Sequence, residues 1–203
     1  MITLAKHAGY CFGVRRAVQM AEENASPANP LYAAGPLIHN RHVIEDLRKG
    51  GVITAQTLNE IPDGARVIIR AHGVPPQDEM QLTEKGCTIL DATCPFVARI
   101  HKIVAEESEK GKAILIFGKH GHPEVVGIAA RCKTAMIAET EEDLKEILKN
   151  YADKPLSVVC QTTFQKEICL KFVNIVKNTC NSPQIFDTIC NAKIGRASCR
   201  ERV

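Results

Sequence analysis

Two segments of the chain are apolar runs that end in Asp-x-x-Cys: Ile89-Leu90-Asp91-Ala92-Thr93-Cys94 and Ile185-Phe186-Asp187-Thr188-Ile189-Cys190. A third cysteine, Cys11, follows the apolar opening Ile2-Thr3-Leu4-Ala5, within Gly9-Tyr10-Cys11-Phe12-Gly13-Val14. A cysteine just past a strand end stands where the backbone ladder runs out, a place that suits a ligand better than a core filler. The three lie 83 and 96 positions apart, so only the fold can bring them together. The pattern predicts one soft-metal centre held by Cys11, Cys94 and Cys190 as thiolates. Three thiolates without a fourth fit two centres. One is zinc with an open coordination position. The other is an iron–sulfur cubane, usually held by four cysteines, with one iron left without a protein ligand. Residue types alone leave both open.

Around the cysteines stand groups suited to an anion and to proton transfer. His39, His72 and His122 each precede a helical stretch, and helix starts with imidazole donors suit a phosphate-like group. Glu124, two residues beyond His122, is placed to relay protons. Thr162 and Thr163 follow Gln161 at the end of another apolar run. A single histidine is more often a packed or capping residue, and His7, His42, His101 and His120 are expected to have structural or solvent-facing roles. His39 and His122 stand out because they occupy equivalent places in a repeated order of features.

That order emerges from the elements. Strand-like runs at 2–5, 31–34, 66–71, 87–91, 113–118, 134–138, 156–161 and 184–189 alternate with helical stretches near 13–25, 39–49, 76–85, 95–110, 123–131, 141–150 and 165–179. Val14, Ala17, Val18 and Ala21 carry the helical period. Strands separated by helices imply βαβ crossovers and parallel sheets covered on both faces. In the first half, apolar runs lead in turn to Gly35…His39, to Arg70-Ala71-His72 and to Asp91…Cys94. In the second they lead to Gly118…His122, to Gln161-Thr162-Thr163 and to Asp187…Cys190. A duplicated α/β unit explains this economically. The marked residues all follow strands, at the sheet end where open α/β sheets bind ligands. The expected architecture is α/β, with repeated small domains of parallel sheet and flanking helices around a central cleft: 1–94, 95–192, and a tail at 193–203.

Composition agrees with a globular chain of 203 residues, 45% apolar and 24% charged. No apolar run approaches the ~18 residues of a membrane span, and no signal-peptide pattern opens the sequence; the expected location is cytoplasmic. The formal charge of +3 resides in the tail, where Lys193, Arg196, Arg200 and Arg202 face one acid, Glu201. Residues 1–192 are therefore neutral, which removes the basis for a nucleic-acid reading. The tail continues no periodicity and matches a translated sequencing adapter, so it is expected to be non-native. Nine cysteines, an odd number with no Cys-x-x-Cys, argue against a disulfide framework or a zinc ribbon. Cys87, Cys160, Cys169 and Cys180 are expected to be buried small hydrophobes.

The segments Gly9-Tyr10-Cys11-Phe12-Gly13-Val14-Arg15-Arg16-Ala17, Ile38-His39-Asn40-Arg41, Arg70-Ala71-His72-Gly73-Val74, Asp91-Ala92-Thr93-Cys94-Pro95, Gly121-His122-Pro123-Glu124-Val125 and Gln161-Thr162-Thr163 stand in an order that resembles the LytB family, the 4-hydroxy-3-methylbut-2-enyl diphosphate reductases. The resemblance spans residues 1 to about 192. It implies a [4Fe–4S] cluster on Cys11, Cys94 and Cys190 with one iron not ligated by protein. It implies a substrate diphosphate bound by His39, His72 and His122, with Glu124 and Thr162 as catalytic residues and Thr162 also touching substrate. The implied reaction closes the methylerythritol phosphate route to isoprenoids. Two electrons from reduced ferredoxin or flavodoxin cleave an allylic C–O bond, water leaves, and isopentenyl or dimethylallyl diphosphate forms. The family has three such α/β domains and this chain is expected to hold two, so the Ser-x-Asn motif and further Ser of the third have no counterpart, and the chain is expected to be a fragment that lacks activity. Two other readings of the residues are a three-cysteine zinc hydrolase or lyase and a non-catalytic Fe–S sensor module.

Overall fold

The computed structural model describes residues 9–38 and 40–190. The chain forms two compact units. One comprises residues up to Ala71, Met80–Cys94 and Cys190; the other comprises His72–Glu79 and Pro95–Ile189.

In the first unit, helix α1 (Phe12–Asn24) precedes strand β1 (Leu31–Ala34), α2 (Arg41–Lys49), β2 (Val52–Ala55), a 3-10 turn at Leu58–Glu60 and β3 (Arg66–Ile69). Helix α3 (Pro76–Glu84) leads into β4 (Thr88–Asp91). All strands run parallel in the order β2-β1-β3-β4. The sheet buries Leu31, Ala33 and Ile68 against Ala17, Val18 and Ala21 of α1, so the apolar period of that helix is the face it packs. Asn40 starts α2 by accepting hydrogen bonds from the His42 and Val43 amides, a local cap that satisfies donors the helix cannot.

In the second unit, α4 (Pro95–Glu109), β5 (Ala113–Phe117), α5 (Pro123–Ala129), β6 (Ala135–Ala138), α6 (Glu141–Tyr151), β7 (Leu156–Cys160), α7 (Lys166–Thr179) and β8 (Gln184–Ile185) follow in turn. The parallel order β6-β5-β7-β8 repeats that of the first sheet. β5 and β7 are buried at every position, as a sheet covered on both faces requires. Side chains alternate between the faces: Leu115 and Phe117 join one core with Leu144 and Phe172, while Ile114 and Ile116 join another with Ile100 and Ile128. Phe117 and Phe172 meet edge to face, with ring centroids 5.2 Å apart.

The α/β class and the repeated topology match expectation. The short strand β2 was not foreseen, and β8 ends at Ile185 instead of running to 189. Cys160, Cys169 and Cys180 are buried, but Cys87 is only half-buried, just ahead of β4. The run at 2–5 and the tail 193–203 lie outside the described residues.

Candidate functional site

In each sheet the strand order reverses between the two central strands, β1 and β3 in the first and β5 and β7 in the second. A parallel sheet opens a crevice at such a point, beyond its strand ends. The marked residues follow those strands. Gly35 comes directly after β1 and Arg70 after β3. Gly35 has a φ of +82°, a backbone shape that favours glycine, and the Arg70 guanidinium lies against it, with Nη1 2.8 Å from where a Cβ would stand.

The second sheet carries the acid. Glu124 sits in the first turn of α5, just beyond β5, and is 0% exposed. Its Oε1 accepts the Thr162 backbone N–H at 2.6 Å, and its Oε2 accepts the Thr162 hydroxyl at 2.8 Å. Thr162, itself buried, stands two residues past β7. Both strand ends thus meet in one carboxyl–hydroxyl pair. His122 caps α5, its Nδ1 accepting the Glu124 N–H at 3.1 Å. A neutral ring with Nδ1 as acceptor carries its proton on Nε2, so that nitrogen is a donor. The His72 ring lies 5.4 Å from that of His122, edge to face at 84°. Two of the three predicted anion-binding histidines therefore share one place with Glu124. His39 lies outside the described residues. Gln161 braces the loop: its Oε1 accepts the Lys119 amide and its Nε2 donates to the Thr163 hydroxyl.

Cysteines occupy the first unit. Cys11 is the residue that starts α1, with no side-chain cap bonded there and no acidic residue in the first turn. The positive end of the helix therefore favours an anionic group at that point. Cys94 lies three residues past β4, held by its amide to the Ala71 carbonyl at 3.0 Å. Its sulfur rests on α1. A Cβ built on Gly13 would fall 2.6 Å from Cys94 Sγ, so only glycine leaves room for that thiol beside the helix that Cys11 begins. Cys190 belongs to this same unit although it follows the last strand of the other. None of the described cysteines is in a disulfide. Among the described residues no three His, Cys, Asp or Glu side chains stand within reach of one metal ion. The structure gathers the three thiols into one unit and sets one on a glycine, but does not close them to ligand distance. The donor set still suits a soft-metal group: three unbridged thiols, one in a cradle that a larger residue would fill.

Three residues outside the predicted set act here. Gly13 and Arg16 support Cys94, and Thr188 supports the segment leading to Cys190. Thr188 Oγ1 accepts the Cys160 N–H and donates to the Cys160 carbonyl, both at 2.7 Å. Residue type gave no signal for Thr188, whereas the Cys-x-Gly spacing offered one for Gly13.

Among the described residues no helix is long and apolar enough to cross a membrane. A family model described as "LytB protein" matches residues 2–202. A curated relative from Aquifex aeolicus, 4-hydroxy-3-methylbut-2-enyl diphosphate reductase, is 37% identical over 196 residues, covering 94% of this chain and 66% of the relative. The protein of the same name from Clostridioides difficile is 38% identical over 193 residues, covering 94% and 69%. A solved structure of (E)-4-hydroxy-3-methyl-but-2-enyl diphosphate reductase, 36% identical, superposes with a TM-score of 0.85, covering 97% of this chain and 70% of that one. The Plasmodium falciparum reductase structure, 30% identical, gives 0.86 with 96% and 62% covered. The chain spans about two thirds of the length of the relatives it matches.

Proposed function

This chain belongs to the LytB protein family, and from that premise we propose that it is the substrate- and cluster-binding part of a 4-hydroxy-3-methylbut-2-enyl diphosphate reductase, a cytoplasmic enzyme supplied with electrons by reduced ferredoxin or flavodoxin. Cys11, Cys94 and Cys190 would hold a [4Fe–4S] cluster with one iron not ligated by protein. When bound, the cluster supplies the two electrons and a Lewis-acidic site for loss of the allylic hydroxyl as water.

The chain's own residues do the rest. His72 and His122, with His39, bind the diphosphate, and Nε2–H of His122 is a donor aimed by the Nδ1 bond to Glu124 N. Glu124 is buried, and its Oε2 accepts the Thr162 hydroxyl, so the pair would relay a proton between Glu124 Oε2 and Thr162 Oγ1 toward the leaving hydroxyl. The observation that carries the reading is this buried Glu124–Thr162 pair beside His122. A carboxyl closed to water and bonded to a hydroxyl is placed to deliver a proton, which a binding module does not need.

The test is anaerobic reconstitution with iron and sulfide, followed by titration with the allylic diphosphate. The expected result is the broad visible absorption of a cubane in the parent, perturbed by substrate. That absorption should be lost in Cys94→Ser and kept in Glu124→Gln. A parent that takes up zinc but no iron–sulfur chromophore would overturn the assignment.

A further inference from the structure

Helix α1 touches both the second cysteine and the loop that delivers it. Gly13 lies under the Cys94 sulfur. One turn on, on the same side of the helix, Arg16 reaches the backbone that delivers Cys94. Its Nη1 donates to the Thr93 carbonyl at 3.1 Å and its Nη2 to the Asp91 carbonyl at 3.3 Å. The loop it grips is already shaped from within, because Asp91 Oδ1 accepts the Thr93 amide at 2.8 Å. Behind it, the Ala92 and Cys94 amides continue the sheet's bonding to Ile69 and Ala71. The loop therefore has a fixed shape, and Arg16 fixes where that shape sits on α1. A planar guanidinium can span two carbonyls at once, which a lysine ammonium does not reproduce.

We propose that Arg16 is a positioning residue that sets the Cys94 thiol beside Cys11. One helix would then begin at the first ligand and hold the second in place before any metal arrives. The proposal rests on reading Cys11 and Cys94 as ligands of one centre, but the spacing of the two thiols can be read without iron.

The test uses the reduced, metal-free chain and dibromobimane, a short reagent that bridges two neighbouring thiols. Cys11–Cys94 bridging is quantified by peptide mass spectrometry in the parent, Arg16→Lys and Arg16→Met, with thermal melts in parallel. The expected result is a Cys11–Cys94 bridge in the parent. It should fall about fivefold or more in Arg16→Met, as for loss of hydrogen bonds worth about 1 kcal/mol. Arg16→Lys should be intermediate, with all three melting alike. No bridge in the parent, parental yield in Arg16→Met, or loss of the bridge together with the melt would each overturn it. Failure of the parent to take up iron, with bridging as expected, would count against the reductase reading alone.

Discussion

Two buried glutamates show how surroundings decide what a carboxyl does. Glu124 faces hydrogen-bond donors of Thr162, one of them a hydroxyl that can pass a proton on. Glu107, also buried, faces two ammonium groups and a hydroxyl: Lys110 at 2.6 Å, Lys112 at 2.5 Å and Ser157 at 2.7 Å. Burial pushes the Glu107 pKa up, but the bonds from Lys110, Lys112 and Ser157 outweigh it and hold the carboxyl at about 2, against an ordinary 4.5. Because the folded value lies below the unfolded one, this group contributes stability that is fully present above about 4.5 and is lost as pH falls toward about 2. The second unit should therefore lose stability in that window. Glu107→Gln should flatten the acid limb of a urea-midpoint-against-pH curve; a limb as steep as the parent's would remove Glu107 as its source. Glu141, bonded to Lys145 and Lys171, is also held at about 2, so flattening should be partial.

Elements end where side chains take over from the ladder. β7 and β8 pair at only two positions, Ser157 with Gln184 and Val158 with Ile185, and the Phe186 amide adds a bond to the Val158 carbonyl. Beyond that, the Thr188 hydroxyl bonds both the N–H and the carbonyl of Cys160. Thr188→Val keeps the shape and leaves a buried N–H without its acceptor, so it should cost about 1–3 kcal/mol in urea unfolding. Thr188→Ser should lose about 1 kcal/mol or less, the value of one methyl. A cost for Thr188→Val no larger than that for Thr188→Ser would mean that the hydroxyl's two bonds contribute no more than the methyl does. The same contact explains why β8 is shorter than its apolar run. Ile185-Phe186 reads as strand and Ile189 extends the pattern, but the hydroxyl replaces the ladder at the place where the chain turns toward Cys190. β2 was illegible for a different reason: four residues after Gly50-Gly51 carry too little periodicity, and only full register against β1 makes them a strand. The long helices and the central strands were legible, because period and burial agree along them.

At the scale of the molecule, sequence order and spatial grouping part company. A boundary at residue 94 follows the repeat of motifs. Yet His72–Glu79 group with the second unit and Cys190 with the first, which no local pattern could reveal. The candidate site was legible as a set of residue types, since Cys11, Cys94, Cys190, His72, His122, Glu124 and Thr162 all follow strands or begin helices. What holds them was not, because Arg16 and Thr188 act on main-chain groups far away in sequence and Gly13 acts by leaving room for the distant Cys94 sulfur. Arg131 is the clearest case. From the end of α5 its Nη1 donates to the Gly127 carbonyl at 2.7 Å and to the Val74 carbonyl at 2.9 Å, while its Nη2 meets Glu79 Oε1 at 2.8 Å. It thereby ties the segment that contains His72 to the helix that His122 caps. Arg131→Met should lower stability by about 1–3 kcal/mol. More tellingly, it should speed amide hydrogen exchange in residues 72–79 while β5 and β7 stay protected, because local opening follows the loss of local ties. If exchange rose uniformly across the second unit, Arg131 would be a general brace, and the placement of His72 beside His122 would have to rest on contacts other than the Arg131 tie.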